Sequence, residues 1–112
     1  MAQCIVIVQF DLPKRTEEQA IKGGMTSAPT YRNLVTKGLI RKDYLNGEAG
    51  TGGVYLWESR QAAEAWFTEA KMAELTERFG ARPRLTWYDT HVTVDNLAHE
   101  TRVDGKALEA AG

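Results

Sequence analysis

Aromatic and ionisable residues crowd into three short stretches of this chain. Lys42 and Tyr44 precede a run of glycines, Tyr55 and Trp57 follow it, and Trp87, Tyr88 and His91 lie together further on. Flat walls with a few polar groups suit a cavity that holds a planar ring. A side chain that takes a proton from a bound phenol while water is kept out would leave an electron-rich anion. Tyr55, Tyr88 and His91 are the catalytic candidates. His91 could act as a base near neutral pH, although a surface or interface position is the commoner use of such a residue. Tyr44, Trp57, Trp87, Gln9 and Lys42 are the substrate-binding candidates. Gln9 ends an otherwise apolar strand, where a buried amide needs partners. Lys42 alternates with Arg41, and one of the two could attract an anionic substrate; solvated edge charge is the commoner meaning. Asp89 is a weaker candidate for a base.

These residues must be positioned by a small number of elements. Residues 4–10, CIVIVQF, are apolar on both alternating faces, as in a strand covered on both sides. Thr16 and Gln19 form a capping box, opening a short helix that Gly23 and Gly24 are expected to halt. Ser27, Ala28 and Pro29 restart it, with Tyr31, Leu34 and Val35 on one face and Gly38 at its close. Residues 39–48 and 53–58 read as two strands of a hairpin. Ser59 caps a helical stretch whose apolar stripe drifts around residues 69–72, so a kink or two helices are both open. Gly80 and Pro83 end it, and residues 84–94 form a last long strand. The order β, α, β, β, α, β predicts an α+β, ferredoxin-like split βαβ fold: an antiparallel four-stranded sheet with helices on one face. Residues 1–95 would form the domain and 96–112 a C-terminal arm or tail.

Alternation puts Tyr55 with Trp57, opposite Val54 with Leu56. The aliphatic pair is expected to face the helices and the aromatic pair a cavity between two sheets. The same aromatics could instead fill a dimer core. On the fourth strand His91 goes with Trp87 and Asp89, and Tyr88 with the other face, so only one set can face inward. The uncovered sheet face would carry apolar residues on every strand, which points to a homodimer.

Composition limits the possible functions. A chain of 112 residues with 14 basic and 15 acidic side chains, net −1, lacks the basic excess of a dedicated nucleic-acid binder. No apolar stretch approaches a membrane span and no secretory leader is recognisable, so a soluble cytoplasmic protein is expected, with no membrane partner. One cysteine, Cys4, permits no disulfide within the chain. With His91 and His99 far apart, it builds no tight zinc site.

The glycines of GEAGTGG, residues 47–53, precede a strand and lack a following Lys-Ser/Thr. They are therefore not a dinucleotide or Walker loop. Positive φ for a hairpin and bulge is the favoured use of Gly50, Gly52 and Gly53.

The segment KGLIRKDYLNGEAGTGGVYLWES resembles the central signature of the YdhR-like monooxygenase family. The matching residues are Gly38, Leu39, Lys42, Ala49, Gly52, Gly53, Tyr55, Leu56 and Trp57, the last in place of a more usual Phe. WYDTH at 87–91 is similar in Tyr88 and Asp89 and departs at Thr90 and His91. QFDLP at 9–13 is a weaker match. The resemblance implies a homodimeric α+β barrel, in the wider group of antibiotic-biosynthesis monooxygenases. It also implies oxidation of a small aromatic or phenolic compound with oxygen and no cofactor. Two alternatives stand beside it. One is a non-enzymatic small-molecule-binding or stress-related dimer. The other is an isomerase or lyase of the same barrel group, which would need a carboxylate or histidine in the cavity.

Overall fold

The apolar first strand takes the centre of the sheet. In the computed structural model, which describes residues 1–108, β1 (Gln3–Phe10) lies between β3 (Gly50–Trp57) and β4 (Arg84–Thr90). Strand β2 (Leu39–Gly47) pairs outside β3, giving the order β2-β3-β1-β4 with every pairing antiparallel. Helix α1 (Glu17–Asn33) connects β1 to β2. Helices α2 (Arg60–Trp66) and α3 (Glu69–Phe79) connect β3 to β4. This is an α+β arrangement, compatible with a ferredoxin-like split βαβ. No helix among the described residues is long and apolar enough to cross a membrane.

Period-two alternation decides which side chains meet the helices. Cys4, Val6, Val8 and Phe10 of β1, with Tyr55 and Trp57 of β3, are buried with Leu34, Ala63, Phe67 and Leu75. The expected facing of β3 is therefore reversed. Tyr55 and Trp57 face the helices, and Val54 and Leu56 lie on the opposite, open face. The register enforces this: Tyr55 sits beside Val6 and Leu56 beside Ile5, so the β3 aromatics share the face on which α2 and α3 bury Ala63 and Leu75.

Two boundaries differ from expectation, and one left open is decided. Helix α1 runs unbroken through Gly23, Gly24 and Pro29. Glycine lowers helix stability by about 1 kcal/mol without forbidding it. Here the Thr16–Gln19 capping box secures the start, and Thr26 Oγ1 and Ser27 Oγ donate back to the Lys22 and Gly23 carbonyls at 2.8 and 3.4 Å. The second helical stretch is two helices, one of the two expected outcomes, divided at Phe67 and Thr68, just before the residues where the stripe drifts, with Thr68 accepting from the Lys71 amide to cap α3. The last strand stops at Thr90. After His91 the chain enters a separate three-stranded sheet: β5 (Val92–Asp95), β6 (Glu100–Val103) and β7 (Lys106–Ala107). The arm thus starts at residue 92 and is a small three-stranded sheet; residues 109–112 of the expected arm or tail lie outside the described residues. A clasp marks the break: the Asp104 amide donates to the His91 carbonyl at 2.7 Å, and His91 Nδ1 meets Asp104 Oδ1 at 2.8 Å.

The β2–β3 turn closes at Gly47 opposite Gly50, so β3 begins three residues before the expected start. Gly50 and Gly52 have φ of +135° and +152°, and a Cβ on either would run into the carbonyl oxygens of Phe10 and Val8. The expected positive φ thus holds at Gly50 and Gly52 and not at Gly53. The register shift lies elsewhere, between Leu39 and Arg41.

Candidate functional site

A cavity of about 520 Å³ opens between α1, the β2–β3 half of the sheet and α3. Its origin is the face that α1 turns toward the sheet. Ala20, Gly23, Gly24 and Ser27 lie there at helical spacing, and no residue of α1 is buried. Small side chains cannot fill the gap, so the space remains.

Three tyrosines wall it. Tyr31 comes from α1, Tyr44 from β2 and Tyr55 from β3. Tyr31 meets Tyr44 and Tyr55 edge-on, with centroids 6.2 and 5.6 Å apart. Tyr55 Oη donates to Tyr31 Oη at 3.3 Å, and Tyr44 Oη and Ser27 Oγ share a hydrogen bond of 2.7 Å. Lys42 stands inside this cage. Its Nζ lies 3.3 Å from the Tyr31 centroid, 4.1 Å from Tyr44 and 4.6 Å from Tyr55. Gly53 makes the position possible, since a Cβ there would come within 2.9 Å of Lys42 Cε and 3.1 Å of Tyr55 Cε1.

Among the described residues, no carboxylate and no hydrogen-bond acceptor pairs with Lys42 Nζ. Burial pushes its amine down to about 7. The three ring faces oppose this shift, since each favours the cation by ~0.5–2 kcal/mol. Burial moves the phenols the other way. The Tyr55 hydroxyl is pushed far above its ordinary value, chiefly by desolvation. Desolvation also raises Tyr31, partly offset by the hydrogen bond from Tyr55. The Tyr31 and Tyr55 hydroxyls thus remain neutral, and the Lys42 amine is pushed toward neutrality.

Among the described residues the lining carries Arg15, Lys22, Lys42 and Arg78, with no carboxylate and no imidazole. Strand alternation separates the two neighbouring cations. Arg41 lies on the open face, exposed and paired with Asp43 at 2.8 Å, while Lys42 enters the cavity.

The sequence-predicted residues therefore divide. Lys42, Tyr44 and Tyr55 come together. Trp57 packs beneath them, stacked against Tyr55 at 6.4 Å and fully buried, with its indole Nε1 lacking a hydrogen-bond partner; it does not line the cavity. Trp87 shares the helix face but packs edge-on against Phe67 at 6.0 Å and under the Arg60 guanidinium at 4.9 Å, away from the cavity. Tyr88 points to the open face and is 52% exposed. His91 sits at the β4–β5 break, held by Asp104. Gln9 lies on the open face, where its amide donates to the Ala49 carbonyl at 2.8 Å and ties down the glycine turn. Asp89 is exposed near the end of β4. Tyr88 and Gln9 are thus outside the cavity because the register puts them on the open face, and His91 because it lies beyond the end of β4.

Tyr31, Ser27 and Arg78 were not singled out as site residues. The spacing of Ser27 to Tyr31, one helical turn in line with Gly23 and Gly24, was the available signal; the expected helix break obscured it. A second, larger groove of about 820 Å³ lies between the end of α1, the start of β2 and the arm. Its Arg41 and Arg102 are matched by Asp43, Asp95 and Glu100; Arg32 and Lys42 also line it, and it carries Asp95 in its wall where the cage has no carboxylate among its described residues. No protein-family model and no curated protein matches the chain.

Proposed function

We propose that the chain is a cofactor-independent monooxygenase that oxidises a small phenolic compound in the α1–sheet cavity and works as a homodimer. The observation that carries this reading is Lys42, an amine caged by Tyr31, Tyr44 and Tyr55 in a cavity where the described residues offer it no carboxylate. The similarity of residues 37–59 to the YdhR-like family supports it independently.

The chemistry assigns each residue a task. Neutral Lys42 accepts the proton of the bound phenol or its enol form. A phenol near pKa 10 would give up its proton to this amine uphill by about 4 kcal/mol in isolation. Attraction between the resulting ammonium and anion in a desolvated site offsets that cost. The Tyr31 hydroxyl, held neutral and accepting from Tyr55, supplies a hydrogen bond to the oxyanion, and the rings hold the substrate flat. The anion then reduces oxygen at a neighbouring CH2 carbon. That carbon becomes C=O with one oxygen atom, and the other leaves as water with the two hydrogens, so no external reductant is required.

Oxygen uptake with anthrone- and phenol-type substrates tests the reading. We expect consumption by the wild type and a loss of at least about 100-fold in K42M, the scale of a removed general base. Uptake unchanged in K42M would remove Lys42 from the chemistry. The isomerase or lyase reading is not favoured, since neither Asp89 nor His91 enters the cavity.

A further inference from the structure

We propose that the cavity selects a planar aromatic anion, with a carboxylate or comparable negative group beside its hydroxyl, over the neutral phenol of the same size. This deepens the small-molecule reading of the same cavity and rests on it, but does not depend on oxygen chemistry.

Two independent observations converge. The first is Lys42 Nζ. A charge taken out of water is normally paired or hydrogen-bonded, and among the described residues Nζ has ring faces and no acceptor. A ligand anion would supply the missing partner. The second is the distribution of charge. The chain holds 14 basic and 15 acidic residues, yet Arg15, Lys22, Lys42 and Arg78 line this cavity without one carboxylate. The nearest acid to Arg78 is Glu74 at 3.5 Å, on exposed surface and shared with Lys71 at 3.0 Å. That leaves guanidinium donors for a second acceptor.

The cations come from separate segments. Lys42 sits at the tyrosine cage, where the ligand hydroxyl or its oxyanion would bind. Arg15, just before α1, and Arg78, on the last turn of α3, also line the cavity and would supply donors to the neighbouring carboxylate. Tyr31, Tyr44 and Phe79 supply the faces between. A cavity of about 520 Å³ lies in the size range that encloses small organic ligands, and a two- or three-ring aromatic fits it.

Titration calorimetry of the full chain decides the matter. The probes are 3-hydroxy-2-naphthoate, 2-naphthol and 2-naphthylmethylammonium, at low salt and below the midpoint of Lys42 near 7. The acid is expected to bind at least about tenfold more tightly than the naphthol, a preference worth ~1.4 kcal/mol, and the ammonium not at all. Added salt and the R78Q and R15Q variants should shrink that preference, while leaving naphthol affinity within about twofold, which a merely damaged fold would not do. Equal affinity for acid and naphthol, tighter binding of the ammonium, or no binding of any probe would overturn the proposal. The outcomes also separate it from the oxygenase reading. Tight binding of the acid without oxygen uptake sinks the oxygenase alone. Uptake with neutral phenols and no preference for anions sinks this proposal alone.

Discussion

The chemistry of this chain is concentrated in one side chain whose surroundings pull it in two directions. Burial disfavours the Lys42 ammonium and the tyrosine faces favour it, with about 7 as the result of burial alone. A linkage effect on stability follows. Between about 7 and the ordinary lysine value of 10.5, the unfolded chain holds a proton that the folded chain has released, so stability rises with pH across that window. Below 7 both states are protonated and the full cost of burying the charge is present. Urea unfolding at pH 7 and 9 should show the wild type gaining up to about 2 kcal/mol relative to K42M; parallel curves would mean that Lys42 titrates as a solvated lysine. Two neighbours give further tests. In G53A, the new methyl meets Lys42 Cε and should push the amine out of the cage. We expect ligand affinity to fall by more than about tenfold, with a stability loss of roughly 1–3 kcal/mol. In W57F, lost packing is set against removal of an indole N–H without a partner, a group that costs about 1–3 kcal/mol when left buried. The net change in unfolding free energy should lie within about 1 kcal/mol, well short of a usual aromatic truncation.

At the scale of elements, strands were more legible than helices, and types more legible than facings. Residues 4–10 and 53–58 alternate or persist in β-branched and aromatic residues, a signal that survives any packing. The facing of β3 did not show in its sequence. Val54 and Leu56 are as apolar as a core pair, and only the register against β1 and the position of the helices assign Tyr55 and Trp57 inward. Gly23 and Gly24 misled for a related reason. Local preference marks them as a stop, but the tertiary structure uses them as a thin helix face that leaves a cavity. Lys42 and Tyr44 were legible as candidates because they alternate along one strand. Tyr31 was not, since it reaches them only through the packing of α1 on the sheet. The same logic predicts the outcome of filling the helix face. Substituting Gly24 by leucine, whose Cβ would lie 3.6 Å from the Tyr44 ring, should occupy the cavity. Helix propensity would gain up to about 1 kcal/mol while probe binding is lost, a stability–function opposition readable by thermal melts and calorimetry. Retained binding would place the ligand elsewhere.

At the scale of the molecule, the arm and the open sheet face bear on assembly. The radius of gyration is 15.4 Å with extents of 52 × 30 × 24 Å, against about 13 Å for a compact chain of this length. The arm is what extends it: Val92, Val94 and Leu97 are 61%, 68% and 95% exposed, a poor use of apolar side chains in an isolated protein. The open face adds Ile5, Ile7, Val54 and Leu56 with Tyr88 in one strip across three adjacent strands. A second copy related by a two-fold axis would cover both, since an isologous contact presents the same strip and the same arm twice. Light scattering of the wild type should therefore give twice the chain mass. V54E, which places a charge in the strip and touches neither the cage nor the helix-side core, should give the monomer with its tyrosine cavity and probe binding retained. A wild-type monomer would end the dimer proposal, whereas a V54E dimer would move the contact from the sheet to the arm, where V94E would then have to break it. Loss of probe binding in a folded V54E monomer would show that the cavity on the helix face depends on the partner across the sheet, coupling the two faces that the register of β3 keeps apart.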